Sequence, residues 1–291
     1  MKPAAITYDP KNWIRLLLDV PRSRVFRTLA LDVLGAGLYS ALVVYLETNV
    51  IGTVLPLGPS FLSILGIILG LLLVFRTNTA YDRWWEGRRL WGQLVNVSRG
   101  LAHQLDAMLD DGPTRTERRR RYAHLLATLP ASLARHLRKP GSVEPQLAPL
   151  TLVSALHREV HQDITHARLA DDARIVLAPL LQQFDDVIGA CERIRNTPIP
   201  VSYSTYVKQF VLVYALVMPF GLVKDFGYGT VAASMLMFFA TVGLELLAEE
   251  IENPFGEDMN DLPLETITAT ITRDVHTVLG VPAPEAASAT P

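Results

Sequence analysis

The chain has 291 residues, 49% of them hydrophobic, and a formal net charge of −2, with a sequence pI of about 6.4 and a mean hydropathy of +0.24. So small a net charge excludes recruitment of nucleic acid or an acidic substrate by bulk charge, and a single cysteine, Cys191, excludes an internal disulfide and a cysteine-based zinc cluster. The mean hydropathy is high for a soluble protein and low for a pure membrane bundle, which predicts two unlike parts.

Residues 1–28 carry Asp9, Pro10, Arg15 and Asp19 where a secretory signal would need an uninterrupted apolar run, so they read as a cytosolic N-terminal segment without a cleavable signal. The first predicted span is Leu29–Leu46. Thr48–Phe75 has no charged residue, and Pro56, Gly58 and Pro59 break it into a loop and a second span, Pro59–Phe75, that starts near Ser60. That length is at the short end of the roughly 17–25 residues a hydrocarbon core requires. Residues 29–80 thus hold the first two spans. Neither glycine nor proline separates Arg76 from Gly87, so the second span is expected to run on as a helix beyond the membrane.

Residues 81–200 are predicted to be a helical body. Leu94, Leu101, Leu105 and Leu109, then Leu125, Leu126, Leu129, Leu133 and Leu137, recur at helical spacing, punctuated or kinked by Pro113, Pro130, Pro140 and Pro149. Residues 201–248 supply two more spans, Tyr203–Val223 and Phe226–Leu246, followed by an acidic segment, 249–280. The end, 281–291, VPAPEAASATP, has little to bury and is predicted to be a disordered tail. The fold class is therefore all-α, with four spans and a cytosolic helical extension.

Charge sets the expected orientation. Of the 27 Lys and Arg residues, 17 fall between Tyr81 and Pro200 and six precede the first span, while the loop between spans one and two has none. By the positive-inside rule both termini and the central body are cytosolic. Asp32, Arg76, Lys208 and Glu245 then fall near cytosolic span ends, where they can snorkel or pair across helices.

Ile67, Leu71 and Phe75 are spaced i, i+4, i+8 on one helical face, covering about 12 Å of axis. Gly66 and Gly70 form G-x-x-x-G on an adjoining face, a pattern that admits a second backbone. Spacing alone also fits ordinary bundle packing. Beyond Phe75, Tyr81, Trp84, Trp85 and Trp91 are expected at the interfacial level, with Arg76, Arg83, Arg88 and Arg89 reaching headgroups or a neighbouring subunit's carboxylates.

The run Arg76-Thr-Asn78-Thr-Ala80-Tyr81-Asp-Arg83-Trp84-Trp85-Glu86, with Asn196-Thr-Pro198-Ile199-Pro200 and Asn253-Pro254-Phe255-Gly256-Glu257-Asp258, resembles the bestrophin family in its bacterial branch. Three motifs in the family's order and span spacing cover nearly all of the chain but its ends. The resemblance implies a homopentamer around a central pore, to which each subunit gives its long second helix. It places three stacked apolar rings, a pore neck, at Ile67, Leu71 and Phe75, and a cytosolic aperture at Ile199. It implies passive flux of monovalent ions, sodium or other cations in bacterial members and chloride in animal ones. Leu71 stands where animal members have an aromatic ring, whose electropositive edge favours anions, so ion sign stays open.

In animal bestrophins the loop matching 257–261 is a calcium clasp. Here the acidic run is interrupted, Glu257-Asp258-Met259-Asn260-Asp261, and Met259 brings no side-chain oxygen, so a subunit-docking turn is favoured over a cation site built from Glu257, Asp258 and Asp261. His157 and His161, at i, i+4 without the H-E-x-x-H glutamate, and the run Arg118–Arg121 are both read as solvated helix faces. No metal site, cofactor or nucleic-acid partner is expected, and the partners are further copies of the chain, membrane lipid and permeant ions. The alternative is a membrane-anchored enzyme or binding protein acting through its helical body. A transporter would require inverted repeats, and no repeat is present.

Overall fold

The computed structural model describes residues 24–52, 57–170 and 172–282. Among them every regular element is helical. Helix α1 is Arg24–Asn49 and α2 is Pro59–Met108, 50 residues long, about 75 Å of continuous helix. Helix α3 is Arg115–Arg138, and a 3-10 turn at Pro145–Leu147 leads to α4, Pro149–Thr165. Then follow α5, Ala173–Asn196; α6, Val201–Phe226; α7, Gly229–Glu252; and α8, Leu264–Val278. The tail expected at 281–291 lies almost wholly outside the described residues, as do residues 1–23 of the N-terminal segment.

Among the described residues, four helices are long and apolar enough to cross a membrane: Leu29–Asn49, Ser60–Met108, Val201–Phe226 and Gly229–Glu252. The fourth begins later than the apolar run at Phe226 suggested. Phe226 instead ends α6, and Gly227 follows with φ +49° and ψ −128° while its N–H closes on Val223 O at 2.8 Å. Side chains strongly disfavour that backbone region, so glycine sets the corner and α7 starts after it.

The described chain falls into two compact units. One comprises the described residues of Met1–Asp82 and Pro198–Glu252, the other those of Arg83–Thr197 and Asn253–Pro291. In the first, α2 packs on α6 through Leu62, Leu69, Leu73, Val207, Val211 and Met218. Gly66 lets the Tyr214 ring in, since a Cβ there would stand 3.1 Å from its hydroxyl. Ser40 Oγ donates to Ser234 Oγ at 3.1 Å, tying α1 to α7 at a buried point, a small-residue contact common between apolar helices.

The second unit has a conventional globular core. Leu94, Leu101 and Leu105 meet Leu126, Leu129 and Leu133, so the leucine recurrences are its buried stripes, with Leu125 only half-buried. Trp91 is fully buried in this core, which corrects the interfacial position expected for it. Arg118 corrects the solvated-face reading of the arginine run. It is buried, with Nε 2.9 Å from Asp163 Oδ2 and Nη2 2.6 Å from Glu159 Oε2. Tyr122 Oη donates to the same Asp163 at 2.7 Å. Burial pushes the Tyr122 hydroxyl pKa well up, and its bond to the Asp163 carboxylate pushes the same way. Arg119 pairs with Asp106, and Arg121 with Glu117 and Glu159.

Candidate functional site

Helix α2 shows two faces within the first unit. Leu69 and Leu73 are buried against α6, whereas Ile67, Leu71 and Phe75 are 73%, 56% and 56% exposed. The three stand in register along one side, uncovered by their own chain. Stepping on by the helical period, the same side continues with Asn78 and Asp82, both exposed. Gly70 is also exposed, with open space where a Cβ would stand, while Gly66 is occupied by Tyr214.

The residue after Phe75 turns the other way. Arg76 is 1% exposed, its Nη2 2.8 Å from Glu252 Oε2 and its Nε 3.5 Å from Glu245 Oε1. Lys208 Nζ reaches Glu249 Oε2 at 2.8 Å, so Arg76 and Lys208 are each neutralised by α7 carboxylates. Such pairing makes ionic groups tolerable in an apolar bundle. Asp32 is exposed. Ile199 sits beside this charge cluster: its N–H donates to Glu252 Oε1 at 3.0 Å, and the residue is 6% exposed.

In the second unit the remaining motif residues hold one another. Arg83 donates to Ile194 O and Thr197 O, both at 2.6 Å, capping the carbonyl end of α5. Trp84 Nε1 donates to Asn260 O at 2.9 Å. Gly87 lies against Pro254 and Phe255, where a Cβ would come within 3.1 and 3.2 Å. Arg76 and Arg83 thus bind partners in their own chain, which corrects their expected reach to headgroups or a neighbour. Arg88 and Arg89 are exposed.

The acidic turn is pinned from within. Asp261 Oδ2 accepts the Asp258 N–H at 2.6 Å, Leu262 N donates to Pro254 O at 2.9 Å, and Arg138 Nε donates to Gly256 O at 3.1 Å. Arg138 also pairs with Glu265 and lies 3.7 Å from Glu257. Hydrogen bonding to Glu265 outweighs desolvation and holds the Arg138 guanidinium above its ordinary pKa, so a permanent positive charge flanks Glu257. Asp258 is exposed. Among the described residues no group of three His, Cys, Asp or Glu side chains could hold a metal ion.

His157 Nε2 lies 3.6 Å from Asp185 and His161 Nδ1 lies 3.3 Å from the Arg174 guanidinium, so the two rings face different partners. Cys191 is buried, and desolvation with the nearby Glu86 and Glu192 pushes its thiol up to about 12, far from a nucleophilic thiolate. Sequence reasoning missed Glu252 as a site residue. The signal was in Pro198-Ile199-Pro200, which leaves one amide donor in three residues and so demands one acceptor nearby.

The model of the family described as Bacterial/Fungal Bestrophin protein matches residues 5–277. A voltage-dependent anion channel-forming protein of Nostoc sp. is 33% identical, covering 93% of this chain and 92% of its own length. The voltage-dependent anion channel-forming protein YneE of Escherichia coli K12 is 32% identical with the same coverages. The crystal structure of a bacterial bestrophin homologue from Klebsiella pneumoniae superposes with a TM-score of 0.78 at 28% identity, covering 87% of this chain and 99% of that one. The coverage leaves no substantial part of the helical architecture without a counterpart, and the chain belongs to the bacterial and fungal bestrophin family.

Proposed function

We propose that the chain forms a homopentameric channel for passive monovalent ion flux across the bacterial inner membrane, with Ile67, Leu71 and Phe75 as a hydrophobic neck. The observation that carries this reading is the uncovered face of α2: three large apolar side chains in register, half or more exposed in the single chain. An uncovered apolar face needs lipid or other copies to cover it. The same face continues into Asn78 and Asp82, and a carboxylate on that line favours a watery axis over acyl chains. Relatives named as voltage-dependent anion channel-forming proteins support conduction.

A ring of side chains unable to hydrogen-bond water dries when narrow and wets when slightly wider, so small movements switch conduction. Three such rings in series make a steep gate. Ile199 forms the second, cytosolic constriction. Its side chain is tucked into its own subunit here, so it narrows the path when the segment 197–200 turns it outward. The segments 81–200 and 249–280 form the cytosolic body, both termini face the cytosol, and the acidic turn 257–261 docks against a neighbouring subunit.

Planar-bilayer recording of the purified protein in asymmetric salt tests this reading, and the sign of the reversal potential gives the sign of the permeant ion. Leu71→Ala removes the middle ring and is expected to raise unitary current severalfold. Unchanged current in that variant, or no current from correctly assembled protein, overturns the proposal.

A further inference from the structure

We propose that Glu252 is a positioning residue that locks the neck helix to the aperture segment, so that the two constrictions move as one. The inference rests on the channel reading above and adds the link between its two narrow points. One carboxylate holds both sides: Oε2 takes Arg76 Nη2 at 2.8 Å and Oε1 takes the Ile199 N–H at 3.0 Å. Arg76 directly follows Phe75, and on a helix the two side chains point about 100° apart. Phe75 is exposed on the neck face while Arg76 is buried against α7. Any rotation of α2 that moves the Phe75 ring therefore moves the guanidinium, and with it the carboxylate.

The other end is equally constrained. Pro198 and Pro200 have no N–H, so the Ile199 amide is the single backbone donor of that tripeptide, and Glu252 holds it. Pro200 is also the residue from which α6 departs, at Val201. The carboxylate thus fixes both the placement of Ile199 and the entry of α6. Burial of Arg76 strengthens the tie, because a charge-assisted bond lost from the half-buried Glu252 leaves the buried guanidinium short of a partner. Arg76 has little alternative: its Nη1 is buried without a hydrogen-bond partner. Glu245 offers only the longer contact at 3.5 Å. While the carboxylate keeps both partners, Ile199 stays tucked into its subunit, and release of either partner frees the segment to turn.

The test is a set of double-mutant comparisons on the full-length protein in planar bilayers. Open probability is measured for the wild type, Leu71→Ala, Ile199→Ala and the double variant, then for the same four proteins carrying Glu252→Gln. Glutamine is the same size and still accepts the Ile199 N–H, but it removes the charge that holds Arg76. With Glu252 present, the combined effect of the two alanines is expected to depart from the product of the single effects by about fivefold or more, as for residues in one network. With Glu252→Gln the product should hold within about twofold. A product that holds already in the wild type, or departs equally in both backgrounds, overturns the lock. Oligomer size by gel filtration, unchanged across the set, separates positioning from loss of assembly. Should Glu252→Gln fail to assemble, Glu252→Asp retracts the carboxylate so that it reaches only one partner. The same loss of coupling is expected there, and its retention overturns the lock. A silent but assembled wild type overturns the channel reading and this inference with it, whereas a conducting wild type without coupling overturns this inference alone.

Discussion

Helix α2 begins and ends under opposite rules. From Ile64 to Phe75 its apolar residues are split, with Leu69 and Leu73 buried and Ile64, Ile67, Leu71 and Phe75 left exposed by the chain. From Trp91 to Leu109 the apolar stripe is fully covered by α3, α5 and their neighbours in the second unit. Both stretches are helices with an apolar face, but the earlier has no polar side chain at all while the later sets Gln93, Asn96, Arg99, His103 and Asp106 between its buried residues. The later stretch finds its complement in the same polypeptide and so defines a globular core. The earlier one offers more apolar surface than its own chain can bury, so its complement must come from outside.

That contrast can be broken by substitution. The largest effect is expected at the ionic centre of the second unit. Asp163→Ala takes one of its two carboxylate partners from the buried Arg118, leaving only Glu159, and strands the Tyr122 hydroxyl, at a cost of about 3–5 kcal/mol. Thermal unfolding in detergent should show a fall in Tm well beyond that of any surface substitution. A shift no larger than that of Asp111→Ala, an exposed carboxylate, would contradict the role given to Asp163.

A step lower, Leu101→Ala should destabilise by about 3 kcal/mol through lost transfer energy and a residual cavity. Leu71→Ala, at an exposed position of the same helix, should change subunit stability by less than about 0.5 kcal/mol. Equal melting shifts for the two would show that the stretches do not differ as described. This pairing sharpens the contrast because residue type, helix and substitution are held constant.

The smallest effect depends on pH. The Tyr122 pKa is raised above its ordinary value of 10.0, first by burial and then by the bond to Asp163. The folded state therefore keeps a proton that the unfolded chain releases, and stability is fully present below pH 10 and declines as pH rises past it. Tyr122→Phe should flatten that decline in Tm measured from pH 9 to 11.5. An identical alkaline slope in both proteins would remove Tyr122 from the explanation.

Much of the architecture was legible in the sequence because the membrane imposes a strong compositional filter. Four apolar stretches long enough to span gave four helices, and the absence of a breaker between Arg76 and Gly87 gave the continuous α2. The late start of α7 was not legible, because apolarity runs straight through Phe226 and only the backbone of Gly227 marks the turn. Partners distant in the chain were the other blind spot. Arg118 looked solvated beside three more arginines, and nothing local shows that Asp163, 45 positions on, folds back to it. Trp91 looked interfacial for the same reason, yet it lies fully buried in the core of the second unit. At the candidate site the motif positions could be read, but the bonding of Glu252 to Ile199 and of Arg83 to the end of α5 required the fold.

The sealed thiol of Cys191 has a practical consequence. As the chain's one native cysteine, inaccessible and with its acidity suppressed, it gives almost no background to maleimide or methanethiosulfonate reagents at neutral pH. Single cysteines introduced along α2 can then be modified one at a time in the otherwise native protein, and the pattern of reactivity will trace which stripe of that helix meets water.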